Sequence, residues 1–364
     1  MQHTDNSLHI SFSEQYSISD IERLFDSCSS NATNPFLSKA WLCSWIATLD
    51  SLPTLVIFKN NDEAKGFVFL GKQQKWYGDI YFINQTGNQN KDQVWIEHND
   101  IIASDKWLNK CRQTLLEALC SRSRFHRLVV SLSAYENWSI ANSFYWSREK
   151  DDVARVVSNQ FTSVSVNKEY STTLSKNARS AISRSNTYIS KHYGEVSFTQ
   201  INDPKALVQL LEENVAPLHL SQWGETKEGS GFSNPLFVAF HEQLCQYNSN
   251  EYKLEILSFK AGQMELGYLY MFLCGNTAFF YLSAINYNDS DNRYKPGLLM
   301  HKLAIEHYVA RGYENYDFLA GFARYKESLS NHHYALHTLH ISKISFFNRL
   351  LYSSNRFIKN LKSS

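Results

Sequence analysis

The sequence is short of features that would place it at once, and each shortage excludes something. Neither charge is in excess: Lys and Arg number 36 against 35 Asp and Glu in 364 residues. No global field therefore favours duplex nucleic acid, and any phosphate recognition has to be local. The six cysteines (Cys28, Cys43, Cys111, Cys120, Cys245 and Cys274) form no CxxC pair and no Cys/His cluster of zinc spacing. Buried thiols in a reducing compartment and no metal are the expectation. No run of about 18 apolar residues occurs, and the opening MQHTDNSLHISF has neither a basic nor an apolar leader region. These absences predict a soluble cytoplasmic protein. Low-complexity stretches are also missing, so domain organisation has to come from pattern.

What is present is 43% apolar and 14% aromatic residues, enough for two packed cores. A chain of this length predicts two domains, which we place at 1–165 and 166–364. In the second, INDPKALVQLLEENV has Asp203 as N-cap and Pro204 at the first helical position, with Leu207, Leu210 and Leu211 on one face. A second helix follows from SNPLFVAFHEQLCQY. Three strand-like runs come next (YKLEILSFK, MELGYLYMFLC and TAFFYLSAINY), separated by short turns. A helix opening at RYKPGLLM, the strands ENYDFLAG and HTLHISK, and a terminal helix from about Ile344 complete the order.

The first half repeats part of this plan. NPFLSKAWLCSWIATL precedes TLVIFKNNDEAKGFVFL as NPLFVAFHEQLCQY precedes LEILSFKAGQMELGYLYMFL. Phe58-Lys59 stands eight residues before Gly66, and Phe259-Lys260 eight before Gly267. Before the corresponding first-half helix the chain reads IEHNDIIASDKW, without glycine. Only the second half has a candidate anion loop.

An exposed helix start presents unpaired N–H groups and a positive dipole end. Gly297 leaves room for a phosphate, Arg293 and Lys295 add charge, and Gly297, Leu298 and Leu299 would donate, since Pro296 has no N–H. The plainer alternative is an ordinary Pro-Gly helix start. In NYDFLAGFARYKESLS, Asp317 is an acid among apolar residues, so it is paired, exposed or functional. A structural bridge to Arg324 or Lys326 is the alternative to a catalytic role. LSKNARSAISRSNTYISK carries Arg179 and Arg184, either an anion site or a solvated helix face. LHLSQWGETKEGSGF reads as a Gly-rich loop in which His219 and Glu225 are candidate bases and Trp223 a pocket wall. His241 reads as a satisfied core histidine. The tail from Ile344 is basic and amphipathic, suited to docking on the domain or to peripheral contact with an anionic membrane.

Together LSKNARSAISRS, LHLSQWGETKEGSGFSNPLFVAFHEQL and YKPGLLMHKLAIEHYVARGYENYDFLAGFARYKESLS closely resemble the CelD/BcsL-type acetyltransferases of the GNAT superfamily, relatives of the FemAB peptidyltransferases. NPFLSKAWLCSWI resembles the family's N-terminal signature. The resemblance implies an α/β fold of tandem GNAT-like domains, built on a mixed sheet, with the second domain complete and the first degenerate.

It also implies acyl transfer from acetyl-CoA or another acyl-CoA to an amine or hydroxyl, on a saccharide of envelope or exopolysaccharide assembly. In that scheme Gly297 to Leu299 receive the donor's pyrophosphate. Asp317 or Glu225 assists the base step, and Tyr325 is the candidate acid for the departing thiolate. Lys326 and Arg184 hold anionic acceptor groups. The competing readings are FemAB-like aminoacyl transfer from tRNA to a peptidoglycan precursor, and a non-catalytic adaptor of a polysaccharide or membrane assembly.

Overall fold

The computed structural model describes residues 7–28, 34–142, 146–160, 170–226, 229–247, 252–321 and 323–343. The expected terminal helix from Ile344 and the residue after Gly321, Phe322, lie outside them. Along the chain run β1 (His9–Ser13), α1 (Ile18–Cys28), α2 (Lys39–Ala47), β2 (Thr54–Asn60), β3 (Glu63–Lys75), β4 (Gly78–Ile83), β5 (Ile102–Ala103), α3 (Asp105–Cys120) and β6 (Phe125–Ser133). Then come β7 (Trp146–Gln160), α4 (Tyr170–Thr173), α5 (Lys176–Tyr193), β8 (Val196–Ile201), α6 (Pro204–Leu210), α7 (Ala216–Trp223) and α8 (Pro235–Gln246). The last elements are β9 (Tyr252–Ala261), β10 (Met264–Cys274), β11 (Thr277–Ile285), α9 (Pro296–Ala310), β12 (Asn315–Ala320), α10 (Arg324–Ser328) and β13 (His332–Lys343).

Contacts group the described residues into two units, one within 1–30, 50–153 and 336–364, the other within 31–49 and 154–335. This differs from a single cut after residue 165, for two physical reasons. In α2, the Trp41 ring lies edge-on to Phe240 of α8 at 4.7 Å and also meets Phe272 and Tyr281, so that helix belongs with the second unit. In β13, residues His337 to Ile341 pair antiparallel with β6, which assigns that segment to the first.

In the first unit β1, β2, β3 and β4 are antiparallel neighbours, β4 and β6 pair in parallel, and β5 pairs with β3. Alternation along β3 sends Val68 and Leu70 into the core with Leu115 and Leu116 of α3, whereas Phe67 meets Phe25 of α1 at 4.9 Å. In the second unit β8, β9, β10 and β11 are antiparallel neighbours, β11 and β12 are parallel, and β12 pairs antiparallel with β7. Leu269, Met271 and Leu273 of β10 share a core with Ile182 and Ile189 of α5 and Met300 and Ala304 of α9. Tyr270 and Phe272, on the opposite face, meet the aromatic side chains of α8 and α2.

Both repeats are antiparallel hairpins followed by a helix and a parallel strand. Phe58 is the cross-strand partner of Gly66, and Phe259 that of Gly267, each beside a bulge. Crowding explains the glycines: a Cβ at Gly66 would meet the carbonyl of Ile102 at 2.9 Å, and one at Gly267 the carbonyl of Ala284 at 2.3 Å.

Candidate active site

The start of α9 is held in place by α5 and the loop before it. Ser185 Oγ on the buried stripe of α5 accepts from the Lys295 N–H at 3.1 Å. Tyr294 Oη donates to the Asn286 carbonyl at 2.9 Å. Asp289 accepts from Tyr188 and Tyr193 at 2.8 and 2.6 Å. Arg293 is absorbed in this scaffold: it grips Asp291 at 2.9 and 2.7 Å, holding that carboxyl at about 2, and its guanidinium lies 4.6 Å over the Tyr188 ring. The sequence assigned Arg293 to the donor phosphates, but its charge is spent on Asp291.

Among the described residues no side chain caps the start of α9, and its first turn holds no acid. Leu299 is buried and its N–H reaches the Lys295 carbonyl at 3.4 Å. The expected trio of donors therefore reduces to Gly297 and Leu298. Both line a cavity of about 450 Å³, with Lys295, Ile285, Tyr287, Asn177, Arg324 and Tyr325 among its other walls. A Cβ on Gly297 would come within 2.7 Å of Ile285 Cδ1 and 3.2 Å of Tyr287 Oη. The tips of these two side chains would have to move to admit a larger residue.

Ile285, at the end of β11, lines the cavity, beyond the point where β11 and its parallel neighbour part. β11 and β12 pair at Thr277 with Asn315, Ala278 with Tyr316 and Phe279 with Asp317. β11 then runs on to Ile285 past a bulge between Tyr270 and Met271 of its other neighbour. β12 bulges between Asp317 and Ala320 in its pairing with β7, with Leu319 at φ 56°. Asp317 staples that bulge: Oδ1 accepts from the Leu319 N–H at 2.7 Å and Oδ2 from Tyr334 Oη at 2.7 Å. Burial raises its pKa to about 6 against the pull of these bonds and of the Lys326 charge. Neither the bridge to Arg324 nor that to Lys326 forms.

Beyond the turn at Gly321, Arg324–Ser328 form a short helix that carries two predicted site residues. Lys326 turns back and donates to the carbonyls of Phe318 and Ala320 at 2.8 and 3.1 Å. Buried in this way it anchors the end of β12 and offers no ammonium to an acceptor. Tyr325 faces the cavity, and burial raises its pKa.

Behind Tyr325 stands His301 of α9, which sequence reading passed over. Its ring stacks on Tyr325 at 5.1 Å and 20° and meets Phe280 edge-on at 4.5 Å. Nδ1 lies 3.0 Å from Tyr316 Oη, while buried Nε2 has no hydrogen-bond partner. Burial, then the Lys326 charge, lowers its pKa to about 3. A buried unpaired polar atom of this kind costs about 1–3 kcal/mol. The signal in the sequence was a histidine on the otherwise apolar stripe of PGLLMHKLAI.

The remaining candidates do not line the cavity. His219 and Trp223 sit in α7, a helix where a loop was expected; His219 Nδ1 lies 2.8 Å from Ser230 Oγ, and burial lowers its pKa to about 4. Glu225, just past that helix, and Arg184 on α5 are exposed. His241 is buried as expected, with Nδ1 3.3 Å from Tyr270 Oη, but its Nε2 is unpaired. Among the described residues no group of three or more His, Cys, Asp or Glu is placed to hold a metal ion, and no helix is long and apolar enough to cross a membrane.

Residues 176–327, which run from α5 through the cavity to α10, match the family model of the acetyltransferase (GNAT) domain. No curated protein matches the chain. Among solved structures it is similar to a conserved protein of unknown function from Bacteroides thetaiotaomicron VPI-5482, at 13% identity and a TM-score of 0.55, over 93% of this chain and 100% of that one. It is similar to FemX at 10% identity and a TM-score of 0.54, over 94% and 99%. It also resembles L-PGS from Bacillus licheniformis at 8% identity and a TM-score of 0.51, over 93% and 96%. At such identities the shared property is the fold. The chain has a mixed α/β, GNAT-like fold, with an acetyltransferase-type domain in its second half.

Proposed function

We propose that the protein transfers an acetyl or other acyl group from acyl-CoA to an amine or hydroxyl, as a CelD/BcsL-type enzyme acting on a sugar in envelope or exopolysaccharide assembly. The observation that carries this reading is the cavity of about 450 Å³ beside an uncapped helix start and the end of β11. The Gly297 and Leu298 N–H groups receive the pyrophosphate, aided by Lys295, and Arg324 adds a second cation. The gap between β11 and β12 takes the pantetheine arm.

In the transfer, the acceptor's lone pair attacks the thioester carbonyl, the C–S bond breaks, and the acceptor's proton passes to water. Tyr325 protonates the leaving thiolate and is reprotonated from solvent. Asp317, with both oxygens engaged, shapes the bulge rather than serving as base.

Calorimetry with acetyl-CoA tests the donor site. The wild type is expected to bind, and Gly297→Trp, whose side chain fills the cavity, to bind at least about 100-fold more weakly while melting as a folded protein. Equal affinities would remove the donor from this site. A second reading, aminoacyl transfer from tRNA, draws on the same two cations, which suit the phosphates of an RNA end. Transfer from charged tRNA, with acetyl-CoA inert, would favour it.

A further inference from the structure

The stack behind Tyr325 has no place in donor binding, yet it has a cost. An apolar side chain of the same size would fill the space between Phe280, Phe318 and Tyr325 without burying an unpaired nitrogen. His301 lies 4.5 Å from the Phe280 ring, 5.1 Å from Phe318 and 5.1 Å from Tyr325, and only the Tyr325 ring is parallel to it, at 20°. Tyr316 Oη, 3.0 Å from Nδ1, fixes the rotation of the imidazole. Tyr316 belongs to β12 and His301 to α9, so the imidazole plane is set jointly by a core strand and by the helix whose start lines the cavity.

We propose that His301 is a positioning residue for Tyr325: its tethered imidazole face fixes the plane of the phenol ring and so the place of the hydroxyl at the cavity wall. The proposal rests on the reading of Tyr325 as the acid for the departing thiolate. Tyr325 sits on a short helix that follows a bulged strand, and a parallel ring of fixed orientation narrows its side-chain freedom. The single nitrogen that points to Tyr316 explains why histidine, and not phenylalanine, stands there.

Three substitutions separate the parts. His301→Leu removes stack and tether, His301→Phe keeps the stack, and Tyr316→Phe keeps the imidazole but frees it. Acetyl transfer is expected to fall on the order of tenfold in kcat for His301→Leu, with the KM for acetyl-CoA unchanged. The other two variants should fall less, and by equal factors. Adding His301→Leu to Tyr325→Phe should cost nothing further, because both act through one hydroxyl. Independent losses that multiply, or a raised KM with normal kcat, would overturn the proposal.

A readout without turnover uses the full chain with 3,5-difluorotyrosine at position 325. The two ring fluorines should give separate ¹⁹F signals with His301 present and one averaged signal in His301→Leu, at unchanged melting temperature. Identical spectra would overturn the positioning role. Failure of the wild type to bind acetyl-CoA would instead overturn the acyl-CoA reading, and the fluorine spectra would still decide whether His301 fixes the ring.

Discussion

The two repeats fold the same way up to the point where one closes and the other opens. In the first, β4 and β6 stay paired from Asp79 and Phe125 to Phe82 and Val129, one residue short of the end of β4. In the second, pairing stops at Phe279 and Asp317 although β11 continues to Ile285. Their helices differ in the same sense. Neither helix start has a side-chain cap, but α3 begins with Asp105, an acid that answers its own helix dipole, whereas α9 has no acid in its first turn. A closed pair beside a self-satisfied helix is a structural module. A parted pair beside an unanswered helix start is what the proposed donor site requires. Sharing a fold therefore does not share a site: the difference lies in a few residues at one end of one strand pair.

The comparison can be broken most severely by giving α9 the acid of α3. Leu298→Asp puts a carboxylate in the first turn, on the cavity wall. Two charges about 4 Å apart at an effective dielectric of 20 interact by about 4 kcal/mol. The affinity for acetyl-CoA should fall by at least about 100-fold in calorimetry, while Asp105→Leu in α3 leaves it unchanged. An affinity for Leu298→Asp within threefold of the wild type would show that the helix start holds no phosphate.

A smaller effect separates the two strand bulges. Leu132 of β6 has φ 44° and Leu319 of β12 has φ 56°, so both strands bulge at a leucine. Two residues earlier stand Val130 and Asp317. Burial raises the Asp317 carboxyl from 3.8 to about 6 on folding, so the folded chain holds the proton more tightly than the unfolded one. The associated stability is complete below about pH 3.8 and is lost as pH rises through about 6. Near neutrality, the buried charge leaves the fold weaker by about 2–3 kcal/mol. Asp317→Asn keeps the bond from the Leu319 N–H and removes the titration. Urea unfolding at pH 4 and pH 7 should therefore show the gap between wild type and Asp317→Asn shifting by about 2 kcal/mol in favour of the variant at the higher pH. A gap independent of pH would mean that the carboxyl is not desolvated.

Much of this fold was legible because local chemistry and tertiary role coincide. Asp203 caps α6 through the Ala206 N–H as its sequence position predicts. The spacing from Phe58 to Gly66 and from Phe259 to Gly267 reported a real cross-strand pair, because the glycines are dictated by neighbouring backbone. The helix start at the cavity was legible in Gly297, which lines it, but Arg293 and Leu299 are not among its walls. Nothing in RYKPGLL says that Asp291 takes the guanidinium or that Leu299 turns into the core. His301 was hidden for the opposite reason: one histidine on an apolar helix face has no periodic signature, and its meaning comes from Tyr316 and Tyr325, 15 and 24 residues later in the chain. Lys326 was placed with the acceptor because nothing in the sequence says that a short helix after the strand turns its ammonium back onto the Phe318 and Ala320 carbonyls.

The smallest effect is expected at Glu225, where residue type alone suggested a base. A general base has to lie within hydrogen-bond reach of the proton it takes, or one water away. Glu225 is exposed just beyond α7 and does not line the cavity that holds Gly297 and Tyr325. Glu225→Gln should keep kcat/KM for acetyl transfer within about twofold of the wild type, as surface substitutions generally do. If kcat instead fell by about 100-fold at constant KM, the acceptor would have to enter beside α7, and the reacting centre would extend beyond the parted strands to the helix that carries His219 and Trp223.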